Sequence, residues 1–442
     1  MGTSSGRAGR KPRGLRQRAR AAWTMAAFGS ALVVTLAGGC DFGAPNLEQP
    51  SPAFQCYEIQ DPYLHAGAWH RANLHMHTTH SDGALLAGEM VDLYAVNGYT
   101  LLSLSDHNQY GDQDGGALPQ YQVDDVLHDW NGDGVLHPEH VLGSGVEAHV
   151  RDYGEPAVAW SRDAWYRPRQ LPVDLAPVVL SGAEMSFGGW HFGVVGIPSG
   201  ALEPPGAGQG YIQRTRDAGG LVFLAHPAEW NHYPDRLASQ LDLRVLDGIE
   251  IMNGLRLVRE GAAKPASTGG AGSSADACAA SLPADATRLW DALLARGYRL
   301  WGFANDDAHT WPGHPEAYPF TAFEMVQTDD ATPEGFLYAL RRGSFYASTG
   351  LHFAELGARG HTVVASAPGA ARLRFVGWGG RILLEVEGQS GIYATTGDEG
   401  YVRVEAEGAF VPEKTWLARA WSQPFYLESS PCPGGTRGNQ KF

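Results

Sequence analysis

Asn73-Leu-His75-Met-His77-Thr-Thr-His80-Ser-Asp82-Gly83 closes one strand-like run and leads into a helix-like one. His75 and His77 alternate by two, so on a β-strand both imidazoles share a face. Asp82 and Gly83 follow a short polar loop. Leu85–Asn97 then places apolar residues at 85, 86, 90, 93, 94 and 96, a helical face that Gly98 ends. Tyr99–Leu104 is extended and apolar, and it delivers Ser105-Asp106-His107-Asn108. The unit therefore reads strand, loop, helix, strand, with ligand-type side chains after both strands.

The same grammar recurs downstream. Val178-Val-Leu-Ser-Gly-Ala-Glu184 puts a carboxylate after an apolar run, and His191 opens the run His-Phe-Gly-Val-Val-Gly. Residues 208–218 read as a helix ended by Gly219-Gly220, and the strand Leu221–Ala225 runs into His226-Pro227. Ile249–Met252 is a short strand. Ala286–Ala295 is a helix ended by Gly297, and Tyr298–Ala304 leads to Asp306-Asp307-Ala-His309. Such β-α alternation argues for a parallel sheet or barrel, whose C-terminal strand ends gather catalytic groups at one mouth. His75, His77, Asp82, His107, Glu184, His191, His226, Asp307 and His309 are the candidate metal ligands. Taken singly, His226 or His191 reads as a core histidine and Glu184 as a buried ion-pair partner. Jointly, repeated His, Asp and Glu at successive strand ends has no packing rationale. Nine such groups exceed one tetrahedral shell and suit two or three ions, with Zn²⁺, Mn²⁺ or Fe²⁺ favoured by imidazole and carboxylate. Asp106 reads as a supporting residue rather than a ligand.

These motifs resemble the polymerase-and-histidinol-phosphatase (PHP) family of metallohydrolases over roughly residues 70–310. The matching pieces are His75-Met-His77-Thr-Thr-His-Ser-Asp82-Gly83, Ser105-Asp106-His107-Asn108, Gly182-Ala-Glu184, His191, Ala225-His226-Pro227 and Asp306-Asp307-Ala-His309. The resemblance implies an α/β fold, a distorted (β/α)7 barrel. It also implies hydrolysis, of phosphoesters in most members, by water activated at two or three metals. His75 and His77 would hold the first ion, with Asp307 near it. Glu184 would bridge to a second ion held by His191 and His226, and Asp82, His107 and His309 would hold a third. The residues after Ala339 and those from Gly400 to Phe425 resemble the branch that includes carbaryl-type carbamate-ester hydrolases, which carries a C-terminal β extension. The same site acting on carbamate, amide or carboxylic esters is thus the alternative, and a metal-holding binding protein without turnover is a second one. Glu147, in Gly145-Val-Glu147, competes with Glu184 for the bridging role. Glu184, Asp307 and His80 are the candidate catalytic residues, with His80 or His232 protonating the leaving group. Asn108, Tyr110, Trp190 and Asn253 are candidate lining residues, and Arg71, Arg214 and Arg256 candidate phosphate clamps.

The first twenty residues carry seven Arg/Lys and no acid, residues 21–39 carry no charge, and Leu36-Ala-Gly-Gly-Cys40 follows. A basic head, an apolar core and small residues before a cysteine form an export signal and resemble a bacterial lipoprotein signal, with Cys40 lipidated. Cleavage is favoured over a retained span, because nineteen uncharged residues that include Gly, Ser and Thr would barely cross a bilayer. The expected organisation is a signal over 1–39, a linker over 40–66, a metallohydrolase barrel over 67–345 with inserts at 111–176 and 261–284, and a small antiparallel β-rich extension over 346–442. The expected location is the cell envelope, with membrane contact only through the lipid. Without 1–39 the chain carries 26 Lys/Arg against 48 Asp/Glu, a formal charge of −22. That sign makes the chain a poor candidate for nucleic-acid binding, and the resemblance implies a small-molecule phosphoester, carbamate or ester as partner. Asp129-Trp-Asn131-Gly-Asp133-Gly134 in the first insert has calcium-loop spacing, although position 12 is His140. Cys56, Cys278 and Cys432 are widely spaced, which argues against a zinc-thiolate site and leaves open which pair is bridged.

Overall fold

The computed structural model describes residues 56–65, 67–78, 81–83, 85, 87–107, 177–187, 189–196, 210–230, 234–260, 284–310, 319–411 and 416–430. All of them belong to the unit Cys40–Phe442. The signal segment, the first insert with its calcium-like loop (Asp129, Asn131, Asp133), and Glu147, His80, His232, Asn108 and Tyr110 lie outside the described residues.

The described chain begins with β1 (Tyr57–Gln60) and β2 (Ala68–Asn73), then the helix Ala87–Val96 and β3 (Leu101–Ser103). It resumes with β4 (Val178–Leu180), β5 (Gly182–Phe187) and β6 (Trp190–Val195). The helix Gly210–Asp217 leads to β7 (Leu221–Leu224), and the helix Pro234–Gln240 to β8 (Gly248–Asn253). Helices Gly254–Glu260 and Thr287–Leu294 precede β9 (Trp301–Asn305) and β10 (Phe323–Thr328). After the helix Pro333–Arg341 come β11 (Phe345–Ser348), β12 (Glu355–Arg359), β13 (Thr362–Ser366), β14 (Ala370–Gly377), β15 (Arg381–Glu387), β16 (Ser390–Ala394), β17 (Tyr401–Val411), β18 (Trp416–Ser422) and β19 (Phe425–Ser429).

Local chemistry explains the boundaries. Gly98 and Gly297 take φ of 81° and 83° just past their helices, a conformation that costs a residue with a Cβ and lets the chain turn back into a strand. Thr332 accepts from Gly335 N at 3.2 Å and caps the helix that Pro333 opens. The helix Ala87–Val96 buries its apolar face with Met76, Leu102 and Leu104.

The strands form two main sheets. β2, β3 and β4 are parallel neighbours, and β10 pairs antiparallel with the other edge of β2. That sheet continues through β11, β18, β17 and β19 to β1, so the C-terminal strands extend it directly. The second sheet runs β5 to β9 in order, antiparallel from β5 to β7 and parallel from β7 to β9. β12, β13 and β16 form a small third sheet.

The expected seven-stranded barrel needs correction, because the described residues contain no closed barrel. Two competitors prevent closure. β10 occupies the edge of β2 over Ala68–Ala72 that β9 would need, and β4 occupies the edge of β3. β5 and β6 form a tight antiparallel pair, with no room for a crossover helix. Beyond these strands the ladders of the two main sheets are joined by isolated parallel bridges, Met76 to Ala308 and His107 to Glu184. Both bridges lie among the candidate ligands.

Arg403 on β17 ties the C-terminal strands to the helix Thr287–Leu294. Its Nε and Nη2 donate to Asp291 at 2.8 and 2.6 Å, and Tyr401 donates to the same carboxylate at 2.9 Å. Cys56 is disulfide-bonded, with its partner outside the described residues. No helix among the described residues is long and apolar enough to cross a membrane.

Candidate metal centre

The segment after β2 is threaded between two neighbours. His77 N donates to Ala308 O at 2.8 Å, Asp307 N to His75 O at 2.9 Å and Ser105 N to Met76 O at 2.9 Å. This extended backbone realises the alternation read from sequence. Met76 turns into the apolar core, while His75 and His77 turn together to the opposite side, their ring centroids 5.2 Å apart.

Two carboxylates face these rings. His75 Nε2 lies 3.4 Å from both Glu184 Oε2 and Asp307 Oδ1. His77 Nε2 lies 3.3 Å from Glu184 Oε2 and 3.2 Å from Asp307 Oδ1. These spacings are too long for good hydrogen bonds. They match a coordination shell: donors about 2.0–2.1 Å from one tetrahedral ion stand about 3.3–3.4 Å apart. His75 Nε2, His77 Nε2 and Glu184 Oε2 are buried without a hydrogen-bond partner. Orphaned buried polar atoms are costly, so three converging on one point fit a cation well.

Glu184 extends the cluster. Its Oε1 accepts from His226 Nε2 at 2.7 Å and His191 Nδ1 at 2.8 Å, and its Oε2 lies 3.0 Å from His107 Nδ1. On the far side of His107 and His77, Asp82 lies 3.4 Å from His107 Nε2, 3.3 Å from His309 Nε2 and 3.5 Å from His77 Nδ1. Four overlapping groups can each hold an ion: His75, His77 and Glu184; His75, His226 and Asp307; His107, Glu184 and His191; and His77, Asp82, His107 and His309. The structure thus brings all nine candidate ligands into one cluster. The grouping differs from the expected one, because His77 also faces Asp82 and His107 touches Glu184.

Electrostatics point the same way. Burial disfavours a charged His77, but the carboxylates of Asp307 and Glu184 close beside its Nε2 outweigh it and raise its pKa to about 10. His75 is likewise pulled down by burial and lifted well above its usual range by Glu250, Asp307 and Glu184. Glu184 and Asp307 are held well below the carboxylate range, against the burial that opposes them, by the histidines they face. The cluster is an anionic cage that recruits protons when no other cation is bound.

Several supports were not legible as such. Glu250 accepts from His75 Nδ1 at 2.7 Å, which directs Nε2 inward. The available signal was a lone acid inside the apolar run Gly248-Ile-Glu-Ile-Met. His309 Nδ1 donates to Asp307 O at 2.8 Å, with the same effect on its ring. Asp306 accepts from Asn73, Tyr94 and the backbone of Phe320, Thr321 and Ala322, which fixes the backbone before Asp307. His226 and Asp307 hold φ of 27° and 52°, a strain of about 1–3 kcal/mol each that the surroundings must offset.

Asp106 supports rather than ligates. It accepts from Thr78 N, Thr78 Oγ1 and Ser81 Oγ, each at 2.7 Å, and so shapes the loop that presents Asp82. Gly83 closes that loop, and a Cβ there would stand 2.3 Å from His77 O and 2.6 Å from Thr78 N. Those neighbours are backbone and cannot yield. Gly83→Ala is expected to cost about 1–3 kcal/mol in urea unfolding and to displace Asp82, lowering metal content. An unchanged midpoint and metal content would contradict this role.

Two expectations need correction. Trp190 packs in the apolar core rather than lining a pocket. Arg71 sits over the rings of Tyr99 and Phe323, at 4.3 and 3.9 Å, and is committed there instead of serving as a phosphate clamp. Asn253 lies behind the ligands, bonded to Glu250 and Asp307. Arg256 donates its backbone N–H to Asn253 Oδ1 at 3.1 Å, and nothing in the structure assigns it to a phosphate.

No family profile matches the sequence, and no curated protein matches it. Among solved structures, the chain is similar to a two-domain protein from Bacteroides vulgatus described as containing a predicted PHP-like metal-dependent phosphoesterase. That match has 13% identity and a TM-score of 0.37, and covers 83% of this chain and 96% of that one. It is also similar to an amidohydrolase from Chromobacterium violaceum solved with bound sulfate and no metal, at 16% identity and a TM-score of 0.27, covering 56% and 90%. Function rests on the geometry of the side chains themselves.

Proposed function

We propose that the chain is a metal-dependent hydrolase, a phosphoesterase of the PHP type working with two or three divalent ions of the Zn, Mn or Fe class. The observation that carries the reading is the set of buried, unpartnered atoms His75 Nε2, His77 Nε2 and Glu184 Oε2 at coordination-shell spacing with Asp307. Ions held there would supply Lewis acidity, acidifying water and offsetting charge on an ester oxygen. Overlapping groups that share Glu184 suit more than one ion, and that favours an anionic phosphoryl group as substrate.

The chain's own residues divide the work by depth. His75, His77, Glu184 and Asp307 form a floor sealed from solvent. Asp82, His107, His191 and His309 keep 37, 28, 23 and 17% side-chain exposure, so substrate enters over this rim. Glu250 and the Asp307 carbonyl hold the Nδ1 protons of His75 and His309, which keeps each Nε2 available. His80 and His232 remain the proposed proton donors to the leaving group. Export and anchoring through Cys40 belong to the same proposal and rest on the charge and apolar pattern of residues 1–40.

The test is turnover of an aryl phosphate panel beside aryl carbamates and carboxylic esters. Phosphoester turnover should vanish on chelation and return with Mn²⁺ or Zn²⁺. Activity that survives exhaustive chelation would refute the metal mechanism, and turnover confined to carbamates would move the substrate to the alternative class.

A further inference from the structure

Among the candidate ligands, His226 and Asp307 share a positive φ, and one strand reaches both. Glu250 and Asn253 lie on β8, and each is 1% exposed. Glu250 Oε2 accepts the backbone N–H of His226 at 2.7 Å, and Asn253 Nδ2 donates to Asp307 Oδ2 at 3.2 Å. The pair is joined by Asn253 Nδ2 to Glu250 Oε2 at 3.1 Å. Glu250 Oε1 takes His75 Nδ1 at 2.7 Å and Asn305 Nδ2 at 3.1 Å.

A carboxylate offers about four acceptor sites, and four donors converge on Glu250. It is saturated and is not itself a ligand. Asn253 is saturated as well, because its two amide hydrogens go to Glu250 and Asp307 while Oδ1 accepts from Arg256 N at 3.1 Å. We propose that Glu250 and Asn253 form a positioning clasp that presets His75, His226 and Asp307, and that this clasp sets how tightly the ion is held. The proposal rests on the metal-site reading above and extends it to two residues that touch no ion. Its physical basis is preorganisation. The clasp holds the left-handed backbone of His226 by its N–H, Asp307 by its carboxylate and one ring's tautomer before any ion arrives, so binding need not pay to order them.

The test uses Co²⁺ and Zn²⁺ with the full chain, with affinity read by competition against a chromogenic chelator and geometry by the visible bands of Co²⁺. Asn253→Ala should bind about 10–100-fold more weakly and shift the Co²⁺ bands, with an unchanged far-UV circular dichroism spectrum. Glu250→Gln places an amide N–H against other donors and should lose more. Asn253→Leu, close in shape and lacking the donor, stands in if the alanine form does not fold. Folded variants with wild-type affinity and superimposable Co²⁺ bands would overturn the clasp while leaving the metal site intact. A wild-type chain that takes up no Co²⁺ or Zn²⁺ would overturn both. A wild type that binds tightly but hydrolyses nothing would overturn the hydrolase reading alone, and weakened binding by the variants would still support the clasp.

Discussion

Glu184→Ala should reduce hydrolysis by at least about 10³-fold, equivalent to about 4 kcal/mol of transition-state stabilisation. One carboxylate stands within 3.4 Å of five histidines, with Oε1 serving His191 and His226 and Oε2 facing His75, His77 and His107. No other described carboxylate faces so many of these histidines. Its loss would separate the deep floor from the His191 and His226 side and leave buried imidazoles without their common counter-charge. Glu184→Gln should do nearly as much harm, because one acceptor becomes a donor facing N–H groups. kcat/KM and bound metal per chain check the prediction together. A folded variant that keeps its metal and stays within tenfold of wild type would refute the bridging role.

The metal-free protein should lose stability as pH rises, and the metal-loaded protein should not. His77 has a folded pKa of about 10 against an ordinary value of 6.5. Burial alone would lower it, and the negative charge of the adjacent Asp307 and Glu184 carboxylates reverses that. A histidine whose pKa is raised on folding contributes stability that is complete below pH 6.5 and disappears as pH climbs through 10. The contribution is on the order of 5 kcal/mol at full extent. The depressed carboxylates Glu184 and Asp307 report the same attraction and are not counted again. Metal binding needs the neutral ring, so uptake at pH 8 should expel protons and tighten with rising pH. Melting curves across pH 6.5–10, with and without Zn²⁺, test the first part, and calorimetry in buffers of different ionisation enthalpy tests the second. A flat metal-free profile with no proton release would contradict the cage.

The site was legible where its logic is local. His75 and His77 face one way because strand alternation is a property of the backbone, and Met76 between them was bound to face the core. Helix ends at Gly98 and Gly297 were equally plain, because glycine tolerates the φ needed there. What could not be read is whatever depends on distant partners. Closure of a barrel was decided by β10, some 250 residues after β2, taking the edge that β9 needed. Glu250 looked like one acid in a buried strand, and its role exists only through donors at 75, 226, 253 and 305. Trp190 and Arg71 were misplaced for the same reason. Their neighbours in sequence are site residues, whereas their contacts are core residues or aromatic faces.

The central claim is that the clustered imidazoles and carboxylates trap divalent ions. Elemental analysis of the purified full-length chain, stripped, reloaded with Zn²⁺ or Mn²⁺ and dialysed against metal-free buffer, measures it most directly. Two or three equivalents should remain per wild-type chain, with a marked loss in Glu184→Ala. Wild-type protein that retains no more metal than that variant would contradict the account.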